Sequence, residues 1–337
     1  MTAVGKSRST TDTDGDVVRR IVELGCRAPS VHNTQPWRWR IDGQRIELRA
    51  DRSRQLSVSD PDGRNLTISC GAALHHIQVA AAGLSRLALV ERLPDPLDPD
   101  LLAVIDVAEQ RAATPADVDL LEALDQRVTD RRRFTSWPVP PERLADLASL
   151  AQRWAARVLP LTGSAARATV ERLVDEAIGA QQLDPRFAAE QERWIARSTV
   201  DGVPPSALPQ QTHPTERRDR FERRTEPVPA HGVVEATDGI LAICTAHDTP
   251  LAWLDAGETL SALWLRATQA GFSLVPLSQV IEVEETRSAL ILNVFFEMAK
   301  PQLLVRIGWQ EVTRTSLPRT PRRPLDEVVD AARSNDY

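Results

Sequence analysis

Two stretches of the sequence concentrate groups able to bind a ligand. Ala28-Pro29-Ser30-Val31-His32-Asn33-Thr34-Gln35-Pro36-Trp37 is dense in side-chain and backbone donors. Placed between a helix and a strand, such a loop can grip the amide-like edge of a planar heterocycle while Trp37 anchors the strand; without a ligand it is an ordinary capped turn. The second stretch is Arg127-Val128-Thr129-Asp130-Arg131-Arg132-Arg133-Phe134. If extended, it points Arg127, Thr129 and Arg131 to one face. Two guanidinium forks and a hydroxyl on one face suit a phosphate ester; the alternative is a solvated basic run. Pro318-Arg319-Thr320-Pro321-Arg322-Arg323-Pro324 adds fixed charge on a backbone stiffened by proline. Lys6 and Lys300 are the only lysines, so 39 of the 41 basic residues are arginine. A GC-rich genome explains that bias as readily as function does.

Other chemistries lack their residues. The sequence holds no G-x-S-x-G nucleophile elbow and no G-x-G-x-x-G after a strand. Gly5-Lys6-Ser7 resembles only the end of a phosphate-binding loop, without its upstream glycine and strand. His75 and His76 are neighbours within a helical stretch, about 100° apart around its axis, and so ill-placed to share a metal. They are expected to be packing or surface histidines. Cys26, Cys70 and Cys244 are widely separated, which argues against a disulfide framework or zinc site and fits a reducing cytoplasm.

The elements that must hold these groups follow from periodicity. At 337 residues and 42% hydrophobic, the chain is long enough for about two domains with a sizeable core. A net charge of −6 gives no support for general nucleic-acid binding, and no apolar run approaches a membrane span. The polar start gives no expectation of a signal peptide. Helices are predicted over 17–27, 71–82, 116–128, 141–154, 165–181, 186–198 and 257–269. Strands are predicted over 37–41 and 45–50 around the Asp42-Gly43 turn, then 86–93, 101–107, 158–161, 239–245 and 303–309. Gly71-Ala-Ala-Leu…Gly83-Leu-Ser85 and Gly257-Glu-Thr-Leu…Gly271-Phe-Ser273 look like two copies of one element, although their glycine intervals differ by two residues. A long Pro- and Arg-rich interruption separates Gln181 from Asp238, of a length that marks a lid, a binding loop or a disordered insertion.

At these residues the chain resembles the nitroreductase superfamily of FMN-dependent oxidoreductases. Residues 28–37 are similar to its flavin loop, P-S-x-x-N-x-Q-P-W. Arg127-x-Thr129-x-Arg131, followed by Phe134 and Pro138-Val139-Pro140, is similar to its R-x-S-x-R/K motif. Gly271-Phe-Ser-Leu-Val-Pro276-Leu277-Ser278 resembles the segment along the reactive edge of the flavin. The loop motif occurs only in the first half and the other two only in the second. The chain thus resembles the mycobacterial Acg-type branch, a single-chain mimic of the usual homodimer, with one complete site and one decayed site. On this comparison Arg19-Arg20 and Arg153–Arg157 occupy the decayed positions.

The resemblance implies an α+β nitroreductase-like fold duplicated in one chain: a disordered tail over 1–16, a first half over 17–112 and a second over 113–337, with a lid-like insertion over about 181–238. It implies that Arg127 and Thr129 hold the phosphate and ribityl end of FMN, with Arg322 and Arg319 closing the phosphate site. Arg131 would lie by the pyrimidine edge. Pro29, Ser30, Val31, Asn33 and Gln35 would approach the ring from the first half, and Pro276, Leu277, Ser278 and Gln279 would offer backbone at N5. Ser278-Gln279 stands where the family often has glycine, and the interruption is longer than a typical member's. The expected function is hydride transfer from NAD(P)H through FMN to a nitroaromatic, quinone or similar acceptor in a cytoplasmic monomer that needs neither nucleic acid nor membrane. The alternative is an FMN storage protein whose lid, around Val200–Leu208, restricts turnover.

Overall fold

The structure is a computed structural model that describes residues 14–108, 111–131, 134–150, 154–195, 197–204, 234, 238–309 and 319–330. Helix α1 (Asp14–Gly25) leads through a loop into the hairpin β1 (Trp37–Asp42) and β2 (Arg45–Ala50), then α2 (Arg64–Gly83), β3 (Leu87–Arg92) and β4 (Leu101–Ala108). Helix α3 (Pro115–Gln126) crosses to α4 (Pro141–Leu150), β5 (Arg157–Pro160), α5 (Ser164–Leu183), α6 (Pro185–Trp194) and β6 (Gly239–Thr245). There follow α7 (Pro250–Gln269), β7 (Phe272–Leu277), α8 (Gln279–Glu282), α9 (Glu284–Asn293), β8 (Lys300–Trp309), α10 (Leu325–Val328) and β9 (Val329–Asp330).

The architecture is α+β and duplicated. One sheet has the order β3-β4-β2-β1-β9 and the other β5-β6-β8-β7. Replacing β1, β2, β3 and β4 by β5, β6, β7 and β8 turns the first order into the second, and every pairing in the two four-strand units is antiparallel. β9 is the exception: it lies parallel to β1, with Trp39 opposite Val329, so the end of the chain completes the first sheet.

Between the sheets, α2 and α7 cross at two glycines. Each helix has 20 residues, and Gly71 and Gly257 occupy the same position within it. A Cβ on Gly71 would overlap the Leu254 carbonyl oxygen, and one on Gly257 the Ile68 carbonyl oxygen. Leu254 is the counterpart of Ile68, so these are one contact seen twice across a local two-fold. His75 likewise meets its own counterpart, with Nδ1 2.8 Å from Ser261 Oγ. Both helices end in a cap residue followed by a left-handed one, Ser85 (φ 61°) and Gly271 (φ 78°). Matching Ser85 rather than Gly83 to Gly271 therefore brings the two copies into register and removes the two-residue discrepancy expected from the glycines.

The core explains the strand patterns. Trp37, Trp39, Ile46 and Leu48 pack with α1 and α2 on one face of the first sheet, whose other face carries ion pairs such as Arg40–Glu47 and Arg49–Asp98. β6 is buried at every residue because α4 and α7 share a core with one face of its sheet, and α5, α8 and α9 with the other.

Several expectations are corrected. α1 begins at Asp14, inside the expected tail, whose residues 1–13 lie outside the described residues. Residues 127–131 form no strand, because Arg127 caps the end of α3 and the chain continues irregularly. Arg19 and Arg20 lie within α1, whose counterpart is α4, so they are not the first-half equivalents of Arg127 and Arg131. α6 stops at Trp194 because Ile195 turns extended and bridges to Val203. In the first half a tight hairpin joins β1 to β2; at that place in the second half lies the insertion. Glu190 on α6 pins it to the first half by accepting Val58 N at 3.0 Å and Ser59 N and Oγ at 2.9 Å each.

Gly257→Ala should destabilise the protein by roughly 1–3 kcal/mol, the cost of overpacking at a close contact. Gly179→Ala, inside α5 with nothing within 4 Å of the new methyl, should stabilise it by about 0.5–1 kcal/mol. Urea unfolding midpoints at unchanged slope check both signs.

Candidate functional site

α3 begins with a capping box between Thr114 and Asp117 and ends at Gln126, leaving Arg127 to turn inward. Arg127 is 8% exposed, and its guanidinium lies 4.7 Å from the ring centre of Trp264 on α7. Its Nη2 donates to the Arg27 carbonyl at 3.2 Å, while Nε and Nη1 are buried without a partner among the described residues. Arg322 reaches the same place. It donates from Nη2 to the carbonyls of Arg27 at 3.0 Å and Ala28 at 3.1 Å, and from Nε to Cys26 at 3.1 Å. These carbonyls follow α1, whose negative end lacks intrahelical donors, so a cation from the far end of the chain caps it.

No carboxylate among the described residues compensates Arg127. Burial pushes it down to about 9, with the charge of Arg322 adding to the shift; burial pushes Arg322 down to about 10. Both remain charged near neutrality, so the shifts express the cost of holding charge in an enclosed place. His76, fully buried on α2, is held well below its ordinary range by burial and then by Arg127, His75 and Arg322, which keeps it neutral. Arg27 is lowered by burial, then by Arg20 and Arg319, and ion-pairs with Asp125. The unsatisfied donors of Arg127 suit an anion with several oxygens, for which a planar guanidinium fork is a matched donor.

The loop after Pro29 is strained and bonded inward. His32 (φ 46°), Asn33 (φ 55°) and Gln35 (φ 48°) are left-handed without being glycine, a cost that persists only where the surroundings enforce it. Ser30 Oγ accepts Gln35 N at 2.9 Å, and Val31 N donates to Ser69 Oγ on α2 at 3.3 Å. The amides hold two other segments. Asn33 Nδ2 donates to Gly202 O at 3.0 Å and Pro321 O at 3.2 Å, and its Oδ1 accepts Arg322 Nη1 at 3.2 Å. Gln35 Nε2 donates to Val200 O at 2.8 Å, and its Oε1 accepts Arg323 N at 2.9 Å.

Val200–Gly202 therefore rest on this loop; 205–208 of the expected lid lie outside the described residues. Asp201 pairs with Arg54 and accepts from Ser198 Oγ. Burial works to raise its carboxyl, but the bonds from Ser198 and Arg54 hold it below the usual range. Arg54 and Arg197 both lie over the Trp194 ring, at 5.3 and 4.2 Å.

Of the other expected site residues, Thr129 and Arg131 are half-buried beside Arg127 in the chain, and Arg319 is exposed, 3.9 Å from Asp125. Leu277 is a core residue, Pro276 is half-buried, Ser278 precedes α8, and Gln279 is buried with Oε1 unpartnered. Glu282 on α8 accepts Asn65 Nδ2 on α2 at 3.1 Å and Gln181 Nε2 at 2.7 Å. Asn65 is one helical turn from Ser69, so α2 links α8 to the Val31 loop. His76, expected to be a packing or surface histidine, is buried here; Arg27 and Trp264 carry no motif, and the signal available for Trp264 is its mismatch with Gln78 in the repeated helix.

No family model matches the sequence. A Mycobacterium tuberculosis protein provisionally named an NAD(P)H nitroreductase is 39% identical over 320 residues, covering 94% of this chain and 92% of the relative. The acg protein of the same organism, also provisionally named an NAD(P)H nitroreductase, is 34% identical over 336 residues, covering 96% and 97%. Among solved structures, a Bacteroides fragilis nitroreductase with bound FMN is 13% identical with a TM-score of 0.40, covering 60% of this chain and 94% of its own. The NADPH:FMN oxidoreductase of Vibrio harveyi complexed with NAD+ is 14% identical with a TM-score of 0.40, covering 65% and 79%.

Inorganic phosphate should raise the melting temperature of the ligand-free protein in a concentration-dependent way. Arg127→Met should be at least as stable without phosphate, because it removes an uncompensated buried charge, and should lose most of the phosphate response. Differential scanning calorimetry across a phosphate series at constant ionic strength reads both effects.

Proposed function

The chain belongs to the nitroreductase family, and on that footing we propose that it binds one FMN and passes reducing equivalents from NAD(P)H to a small-molecule acceptor such as a nitroaromatic or quinone. The observation that carries this reading is the buried guanidinium of Arg127, with two unsatisfied nitrogens and no acid beside it. That donor set fits a phosphate monoester. Arg127 would hold the phosphate, aided by Thr129 and, at the rim, Arg319; Arg322, whose donors are taken by backbone carbonyls and Asn33, would close the site by its charge. Arg131 would bring fixed positive charge to the pyrimidine edge. Pro29, Ser30, Val31, Asn33 and Gln35 would form the first-half wall, and Pro276, Leu277, Ser278 and Gln279 the backbone along the reactive edge.

FMN, when bound, supplies the hydride chemistry, so the protein needs binding, orientation and electrostatics rather than an acid–base dyad. Trp264 supports the Arg127 guanidinium from one side by a cation–π contact. Ser69 fixes the peptide at Val31. Asn33, Gln35 and Arg54 keep Val200–Gly202 against the loop, where the segment would limit water and solute access. With both halves in one chain, a monomer would suffice to complete the site. Among the described residues no helix is long and apolar enough to cross a membrane, and no cluster of metal-ligating side chains occurs.

The latch of Asn33, Gln35 and Arg54 on the insertion also supports a second reading, in which the protein stores FMN with little turnover. Anaerobic addition of NADPH separates the two: bleaching of the yellow colour supports the reductase, and unchanged absorbance supports storage. The purified protein is expected to carry close to one FMN per chain. Arg127→Ala should weaken FMN binding by roughly 1.5–3 kcal/mol, about 10- to 150-fold. Arg20→Ala should change it little, since Arg20 pairs with Glu23 on the surface of α1. Equal losses at the two positions, by fluorescence titration, would refute the assignment.

Asp201→Ala removes the carboxylate that holds Arg54 and Ser198. It should speed reduction of bound FMN several-fold, by NADPH or by dithionite, if the insertion limits access. Stopped-flow traces unchanged with both reductants, with FMN still bound, would show that the segment does not gate the site.

A further inference from the structure

The two-fold that exchanges α2 and α7 also exchanges their surroundings. Gly257 follows Gly71, and Gly271 follows Ser85, by the same 186 residues. With that offset Ser69 corresponds to Asp255, Ala72 to Glu258, Trp264 to Gln78 and Ser278 to Arg92. The side where Arg127 lies on Trp264 and Val31 on Ser69 is thus matched by a cluster of opposite character. At the end of β3, Arg92 donates from Nε and Nη2 to the two oxygens of Glu258, at 2.7 and 2.8 Å. Gln78 Nε2 donates to the same carboxylate at 2.6 Å, and Asp255 stands 3.9 Å from Arg92 Nε. Glu258 is wholly enclosed.

We infer that Arg92, Gln78, Asp255 and Glu258 plug the counterpart of the candidate site and turn it into an ion-pair lock between the first sheet and α7. The charges favour this. Two carboxylates against one guanidinium leave the cluster net negative, so it repels the anion that Arg127 and Arg322 attract. The donors favour it too. Arg127 keeps two nitrogens unsatisfied, whereas the fork of Arg92 is spent on Glu258 in a bidentate pair. Size differs too: Arg92 and Glu258 are long where their counterparts Ser278 and Ala72 are short. The lock is read from its own contacts and rests on the cofactor reading only for what the counterpart would have held.

Thermal unfolding of the flavin-free protein, compared among wild type, Arg92→Ala, Glu258→Ala and the double variant, measures the lock; FMN titration of each measures the plug. Each single variant should lose about 5 °C or more in Tm, because it strands a buried partner. The double variant should lose clearly less than the sum of the two. All four proteins should saturate at one FMN with Kd within about twofold, as expected for sites without shared partners. Arg92→Gln and Glu258→Gln give the same cycle if an alanine variant does not fold. Additive losses, or singles indistinguishable from wild type, would overturn the lock. Two FMN per wild-type chain, or loss of the single site in Arg92→Ala, would overturn the plug. A wild type that binds no FMN but keeps the non-additive Tm losses would sink the cofactor reading and uphold the lock.

Discussion

Everything in the molecule depends on two helix backbones touching at Gly71 and Gly257. Without a side chain on either, carbonyl oxygens of the opposite helix sit where Cβ atoms would be. That contact places each helix inside the other half. Trp264 of the second half can then support one wall of the candidate site while Ser69 of the first half braces another. The two sheets lie outside the crossing and carry the loops inward. A bulkier residue at the crossing would separate the halves and the walls together.

The sequence made the local parts legible and the tertiary ones only partly. The Asp42-Gly43 hairpin and the buried strand Gly239–Thr245 stand where their patterns place them, because turn chemistry and unbroken apolar runs are short-range signals. The repeat was visible but mis-registered, since Ser85 adopts a left-handed conformation more typical of glycine. α8 and α9 were unreadable: four and ten residues long, they leave little room for periodicity to show. At the site, the importance of Arg127 and Arg322 could be read from residue type and the family motif. Their enclosure beside Arg27, His76 and Trp264 could not, since burial of a charge is decided by segments remote in sequence. Residues 127–131 lack the alternation of a strand because one inward turn at the end of α3 suffices to bury Arg127.

The two sides of the pseudo-dimer show how a symmetric frame supports asymmetric chemistry. On one side the chain keeps positive charge unsatisfied at a cost to its own stability, as is common where a ligand supplies the missing interaction. On the other the one guanidinium is satisfied internally, by Glu258. Strain follows the same division: three left-handed non-glycine residues lie within His32–Gln35, where the first half, the insertion and the C-terminal segment meet. A homodimer with identical subunits could not divide its two faces in this way through sequence alone.

The pairing of β9 with β1 has a consequence for the order of events during synthesis. Trp39 lies opposite Val329, so one edge of the first sheet waits for a strand 290 residues further along the chain. At roughly 5–20 residues per second, the first sheet leaves the ribosome tens of seconds before its final strand. Arg322, just ahead of that strand, arrives equally late, and until then the carbonyls at the end of α1 must be satisfied by water. The N-terminal half can acquire its hairpin and helices early, but the candidate site is completed only once residues 319–330 have been made.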